Sequence, residues 1–154
     1  LHAVESSVFN NFYQQLQSDF NKIIQRFIAI TVMGSPTAKK DLKKITQSLK
    51  DAAIKNSDQA NTYGLQTSTL KAGLDILLNT DLRQQLIQIS TPVYLLCGNR
   101  DTLIPIEAMQ QICEQRHNNK LECKLEIIHH AGHAPFISHT DACVNFLLTI
   151  LSND

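Results

Sequence analysis

The chain has 154 residues, 43% of them hydrophobic, with fourteen basic and fourteen acidic side chains that cancel. That is a globular composition long enough for one domain with a real core. The neutral balance excludes a general nucleic-acid binder, and no apolar run approaches the roughly 20 residues that span a bilayer.

The first elements read as helices. Phe9, Phe12, Tyr13, Leu16, Phe20, Ile23, Ile24, Phe27 and Ile28 recur at three- and four-residue steps. The spacing predicts one long amphipathic helix ending by Gly34. Ser35 is a good N-cap and Pro36 suits a first helical turn. Ala38, Leu42, Ile45 and Leu49 then form a narrow apolar stripe, with Lys39, Lys40, Lys43 and Lys44 on the wet face. The stretch KNSDQANTYG is polar and turn-like. A third helix is expected from about Gln66 to Leu78, with Leu70, Leu74, Leu77 and Leu78 inward, and a short fourth from Asp81 to Ile87.

The period changes after Ser90. PVYLLCG is a short continuous apolar run between Pro92 and Gly98, the pattern of a parallel strand buried on both faces. Helical spacing returns from Ile106 to about Arg116, LECKLEIIHH reads as a second strand, and Asp141 to Leu151 closes the chain as a helix. Strand, helix, strand, helix implies a right-handed βαβ unit, whose two strands make a poor sheet alone.

The four cysteines, Cys97, Cys113, Cys123 and Cys143, contain no C-x-x-C pair. They are expected to be reduced thiols of a cytoplasmic protein, two disulfides being the alternative for an exported one. No metal is expected from His129, His130, His133 and His139, because successive strand residues face opposite ways. The start, LHAVESSVFNNFYQQ, has no basic segment followed by an apolar one, hence no signal peptide, and it begins in mid-pattern without Met, as if cut from something longer.

LLCGNRDTLIP places Asp101 just past the first strand, and IIHHAGHAPF places His133 just past the second. Adjacent parallel strands deliver their carboxyl ends to one edge, so a carboxylate and an imidazole are expected side by side. A carboxylate that fixes the ring's tautomer equips it for general-base work. Alone, either residue reads as an ordinary loop residue; together they form a candidate catalytic pair.

TPVYLLCGNRDTLIP followed by HHAGHAPFISH resembles the carboxyl-terminal signature of the α/β-hydrolase family, in which triad members run nucleophile, acid, histidine. With QRFIAITVMGSPTAKKD and GLDILLNTDLRQQL, the likeness covers the whole chain and narrows to the carboxylesterases of biotin synthesis. The resemblance implies an α/β fold fragment: a helical lid over residues 1–88, then the last two parallel strands and helices of the core over 89–154. It implies hydrolysis of the methyl ester of a pimeloyl chain on an acyl carrier protein, with Asp101 as acid, His133 as base and no cofactor. It also implies that Lys22, Arg26, Lys39 and Lys43 meet the acidic carrier, where the family favours arginine and this chain has three lysines. Phe27 would line the acyl channel, and Phe136 more weakly the pocket wall. The chain contains no G-x-S-x-G string. The serine and the oxyanion loop are therefore expected upstream of Leu1, the chain alone is expected to be inactive, and the complete protein is expected to be a monomer bound to neither membrane nor nucleic acid.

Two other readings stay open. One is another α/β hydrolase acting on lactones, carbon–carbon bonds or haloalkanes. The other is a non-catalytic module that holds an acyl carrier. As residues on a helix, the lysines read equally as a solvated face and Phe27 as ordinary core.

Overall fold

Asp19 interrupts the run that the apolar spacing predicts as one helix. In a computed structural model describing residues 6–55, 63 and 65–152, α1 (Ser6–Ser18) and α2 (Phe20–Val32) meet at this residue. Its Oδ1 accepts the backbone N–H of Lys22 at 3.1 Å, capping α2. The main-chain bonds from Asp19 N–H to Gln15 and from Ile23 N–H to Asp19 carry the helical path across the break. Asp is a poor interior helix former and a good cap, so the apolar period survives while the helix divides.

Gly34, at φ +92°, ends the turn after α2. The Ser35 hydroxyl then accepts the N–H of Thr37 at 3.1 Å ahead of α3 (Ala38–Lys55). The polar stretch 55–64 lies outside the described residues except for the backbone of Lys55 and for Tyr63. There follow α4 (Thr67–Asn79) and the short α5 (Arg83–Leu86), begun by Asp81, whose Oδ1 accepts the N–H of Arg83 at 3.0 Å. Beyond these come β1 (Val93–Gly98), α6 (Ile106–Asn118), β2 (Cys123–Ile128), the single turn α7 (Pro135–Ser138), which the sequence pattern does not announce, and α8 (Thr140–Leu151).

The chain divides into two compact units. One, Val4–Ile30 with Lys39–Thr80, is helical. Leu16, Ile23, Ile24, Ile28 and Tyr63 form its buried cluster, with Phe12, Leu42, Ile45, Leu49, Leu70 and Leu74 half-buried against it. Leu77, expected inward, is 66% exposed, because α4 turns only its Leu70 and Leu74 stripe to this cluster.

The other unit, Thr31–Ala38 with Asp81–Asp154, holds both strands. This second unit takes up the chain again at Asp81, and the corner after α2 groups with the strands. β1 and β2 pair in parallel from Val93 opposite Cys123 to Gly98 opposite Ile128. β2 is shorter than LECKLEIIHH: Leu121 and Glu122 precede it, and His129 and His130 lie in the turn beyond, His130 at φ +60°. The strands are not buried on both faces. Val93 to Leu96 are half-buried and Lys124 is exposed, since a two-stranded ribbon cannot cover its own faces.

Arg116 fixes the connections around this ribbon. It is fully buried in α6, and its partners are main-chain carbonyls. Nε and Nη2 donate to Glu122 O at 3.1 and 3.0 Å, Nη1 to Leu86 O and Ile89 O at 2.6 and 3.1 Å, and Nη2 to Thr91 O at 2.8 Å. One guanidinium fork thereby ties the chain entering β1 to the chain entering β2.

The cysteines differ from the expectation of four reduced thiols. Cys113 of α6 and Cys123 of β2 form a disulfide, with Cα atoms 5.2 Å apart. The packing of the crossover helix on its own strand brings them together, which residue spacing alone does not reveal. His117, one helical turn after Cys113, places Nε2 2.8 Å from Cys123 O. Cys97 and Cys143 are free and buried. Burial pushes both thiols up, and the negative charge of Asp101 adds to the effect at Cys97.

Two outcomes follow for the full-length gene product. Arg116→Met fills similar space but donates nothing, so the carbonyls of Leu86, Ile89, Thr91 and Glu122 lose this donor at roughly 1 kcal/mol each. Urea denaturation should show a loss of about 3 kcal/mol or more. Peptide mapping after iodoacetamide treatment at neutral pH should find Cys97 and Cys143 protected until the protein is unfolded, and Cys113 and Cys123 unmodified until a reductant is added.

Candidate active site

The exits of the two strands are stitched together by main-chain bonds and by the Asn99 side chain. Past β1, Asn99 N–H donates to Ile128 O at 3.0 Å and Arg100 N–H to Ala131 O at 2.8 Å. Past β2, the N–H of His130 reaches back to Asn99 Oδ1 at 2.6 Å. This closeness requires Gly98: a Cβ there would lie 2.3 Å from the carbonyl oxygens of both Ala131 and Gly132. No side chain larger than hydrogen fits at that crossing.

The stitched loops carry Asp101 and His133 into contact. His133 Nδ1 lies 2.9 Å from Asp101 Oδ2. The other carboxylate oxygen accepts the backbone N–H groups of Leu103 at 2.8 Å and Ile104 at 3.0 Å. Asp101 is held by three donors, and its side chain is only 5% exposed, against 37% for the imidazole. A carboxylate at Nδ1 favours the proton on that nitrogen and leaves Nε2 as the basic one. The arrangement can take a proton from an acidic or nucleophilic group at Nε2 and stabilise the imidazolium that results.

The base loop has a second support. Ala134 N–H donates to Thr31 O at 3.2 Å. A Cβ on Gly132 would lie 2.3 Å from Met33 O, so the corner after α2 runs directly beneath the residue before His133. Sequence reasoning places Asp101 and His133 together but does not find this corner, nor the roles of Asn99 and Arg100. Gly34 reads there only as a helix stop, and Gly132 only as a turn.

The remaining candidates are spread out. Lys22 and Arg26 are exposed one turn apart on α2, and Lys39 and Lys43 likewise on α3. Phe27 is 41% exposed and meets Phe12 edge-on, with ring centroids 5.5 Å apart. Phe136, on α7, is 63% exposed. Since His129 and His130 stand in a turn, the argument that strand alternation separates them does not apply. His129 Nδ1 instead lies 3.4 Å from Asn99 Nδ2, and His139 Nδ1 lies 2.8 Å from Ser138 Oγ. Among the described residues no group of three His, Cys, Asp or Glu side chains is disposed to hold a metal ion. No helix among them is long and apolar enough to cross a membrane.

No family model matches the chain. Curated proteins do. It is 36% identical over 151 residues to the Pimeloyl-[acyl-carrier protein] methyl ester esterase of Pseudoalteromonas atlantica (strain T6c / ATCC BAA-1087), covering 98% of this chain and 52% of that protein. To the protein of the same name from Xylella fastidiosa (strain M12) it is 34% identical over 153 residues, covering 97% of this chain and 55% of the relative. To that of Aliivibrio salmonicida (strain LFI1238) it is 33% identical over 146 residues, covering 94% and 50%. The chain spans about half the length of the curated relatives it matches. Over nearly its whole length the chain is thus similar to proteins named pimeloyl-[acyl-carrier protein] methyl ester esterase.

Proposed function

We propose that this chain is the lid and carboxyl-terminal core portion of an α/β-hydrolase-type carboxylesterase that cleaves the methyl ester of pimeloyl-acyl-carrier protein in biotin synthesis. The observation that carries the reading is the Asp101–His133 contact of 2.9 Å, made by a buried and triply held carboxylate, within a chain homologous to such esterases over 98% of its length. The strand ribbon with its helices is compatible with the end of a hydrolase core, and the helical unit with a lid.

The chemistry follows from the pair. His133 Nε2 takes the proton of a serine hydroxyl supplied from outside this chain as the oxygen attacks the ester carbonyl. The same nitrogen returns the proton to the departing methoxide, releasing methanol and leaving an acyl-enzyme. A water then gives its proton to Nε2 and its oxygen to the carbonyl, freeing the acid and regenerating serine. Asp101 holds the ring through both steps and offsets the imidazolium charge. Oxyanion donors also come from outside the chain, and no cofactor takes part. The complete protein acts as a monomer.

Recognition of the carrier falls to the helical unit. Lys22, Arg26, Lys39 and Lys43 present positive charge at four-residue spacing, which suits an acidic carrier protein. Three lysines where arginine is usual in such esterases keep the charge but lose the bidentate fork. Phe27, exposed beside Phe12, offers an apolar wall to the acyl chain.

Two measurements test the reading on the full-length gene product. His133→Ala and Asp101→Asn should each lower methyl ester hydrolysis by roughly a thousandfold without unfolding the protein, since the residual rate comes from binding and oxyanion contacts. A wild-type protein that binds the carrier but releases no methanol would replace the esterase by a carrier-binding module. Lys22→Glu with Arg26→Glu should raise KM for the carrier-bound ester by about tenfold and spare a small soluble ester; equal effects on both would remove the docking role.

A further inference from the structure

Arg100 stands immediately before Asp101, and nothing in the proton-transfer scheme uses it. Its geometry is specific all the same. The backbone N–H donates to Ala131 O at 2.8 Å, in the loop that carries His133. Its side chain turns the other way, and Nη1 donates to Gly34 O at 2.9 Å, across 66 residues of sequence. The approach is close enough that a Cβ on Gly34 would lie 2.6 Å from Arg100 Cβ and 3.1 Å from Arg100 O, at a φ of +92° that L side chains rarely adopt.

The corner that Arg100 grips also holds the base loop. Thr31 O accepts the N–H of Ala134, and Met33 O lies where a side chain on Gly132 would be. Residues 31–34 thus touch the chain just before Asp101 and on both sides of His133. Two loops anchored to one short corner keep a fixed separation. The Arg100 side chain adds a direct hydrogen bond between the acid loop and this corner.

We propose that Arg100 is a positioning residue for the Asp101–His133 pair, tying the acid loop to the Gly34 corner that also supports the base loop; this rests on the esterase reading above. Arg100 does not touch substrate. It acts through the register of the two loops, where a displacement of the order of 1 Å costs about a hundredfold in rate. Its side chain is exposed, so its removal leaves the core intact.

The experiment uses the full-length gene product, with Arg100→Ala and Arg100→Lys beside wild type. Turnover of a small methyl ester and the downfield proton NMR signal of the His133 Nδ1–H bonded to Asp101 are both read. Arg100→Ala should lower kcat by about 10- to 100-fold, change KM by less than about twofold, and weaken or shift the downfield signal. Arg100→Lys, which restores a cationic donor of similar reach, should recover kcat to within about threefold and restore the signal. A kcat within twofold of wild type with an unmoved signal in Arg100→Ala overturns the proposal, as does a fall in kcat that Arg100→Lys does not relieve. If wild type turns over no ester, the esterase reading fails by itself, and the NMR signal alone then decides: moved by Ala and restored by Lys, it supports the positioning role; unmoved, it removes it.

Discussion

Everything at the strand exits depends on one close crossing of main chain. Gly98 meets the carbonyls of Ala131 and Gly132 at a distance that excludes any Cβ, and the bonds from Asn99 and Arg100 to the other loop close the gap. Only then can a short aspartate side chain reach an imidazole carried 32 residues further along the chain. Parallel pairing brings the two strand ends level, but the last few ångströms come from the glycines. The acid is placed as much by the N–H groups of Leu103 and Ile104 as by the ring it serves. A carboxylate with three donors is preorganised before any substrate arrives, which is the condition under which an acid–base pair acts without reorganising at the moment of reaction.

Much of this is legible in residue pattern. The change from helical spacing to continuous apolar runs locates both strands, and the position of Asp101 and His133 just past them follows from the rule that parallel strands share a carboxyl edge. What pattern cannot carry is long-range and local competition. Asp19 continues an apolar period while its carboxylate caps a new helix, so periodicity alone overruns the break. Leu77 fits the helical stripe yet faces outward, because propensity does not say how wide the neighbouring surface is. The Cys113–Cys123 bridge depends on how α6 lies on β2. The union of Gly34 with Arg100 joins positions 66 apart through a carbonyl, an atom every residue has. Main-chain acceptors leave no mark on composition.

The strand entrances are built on a different principle from the exits. There a charged side chain carries the load: Arg116 spends its fork on carbonyls from Leu86, Ile89, Thr91 and Glu122. The disulfide and His117 grip Cys123 at the same end of β2. The entrances are thus fastened by side chains within the fold, and the far ends of the same strands carry the Asp101–His133 contact. This division leaves the exit loops free to be shaped while the frame beneath stays fixed.

The reliance on peptide groups at the exits has a consequence for how this segment can drift over generations. Leu103, Ile104, Ala131 and Ala134 contribute only their amides or carbonyls to the holding bonds. Exchange of the half-buried Leu103 and Ile104 side chains alters local packing while leaving their amide donors in place, whereas Ala131 and Ala134 are buried and leave no room for a larger side chain. The glycines at 98 and 132 have no such freedom. Mutational change near the pair is thereby channelled into the Leu103 and Ile104 side chains and away from the glycines and peptide groups that hold Asp101 and His133 together.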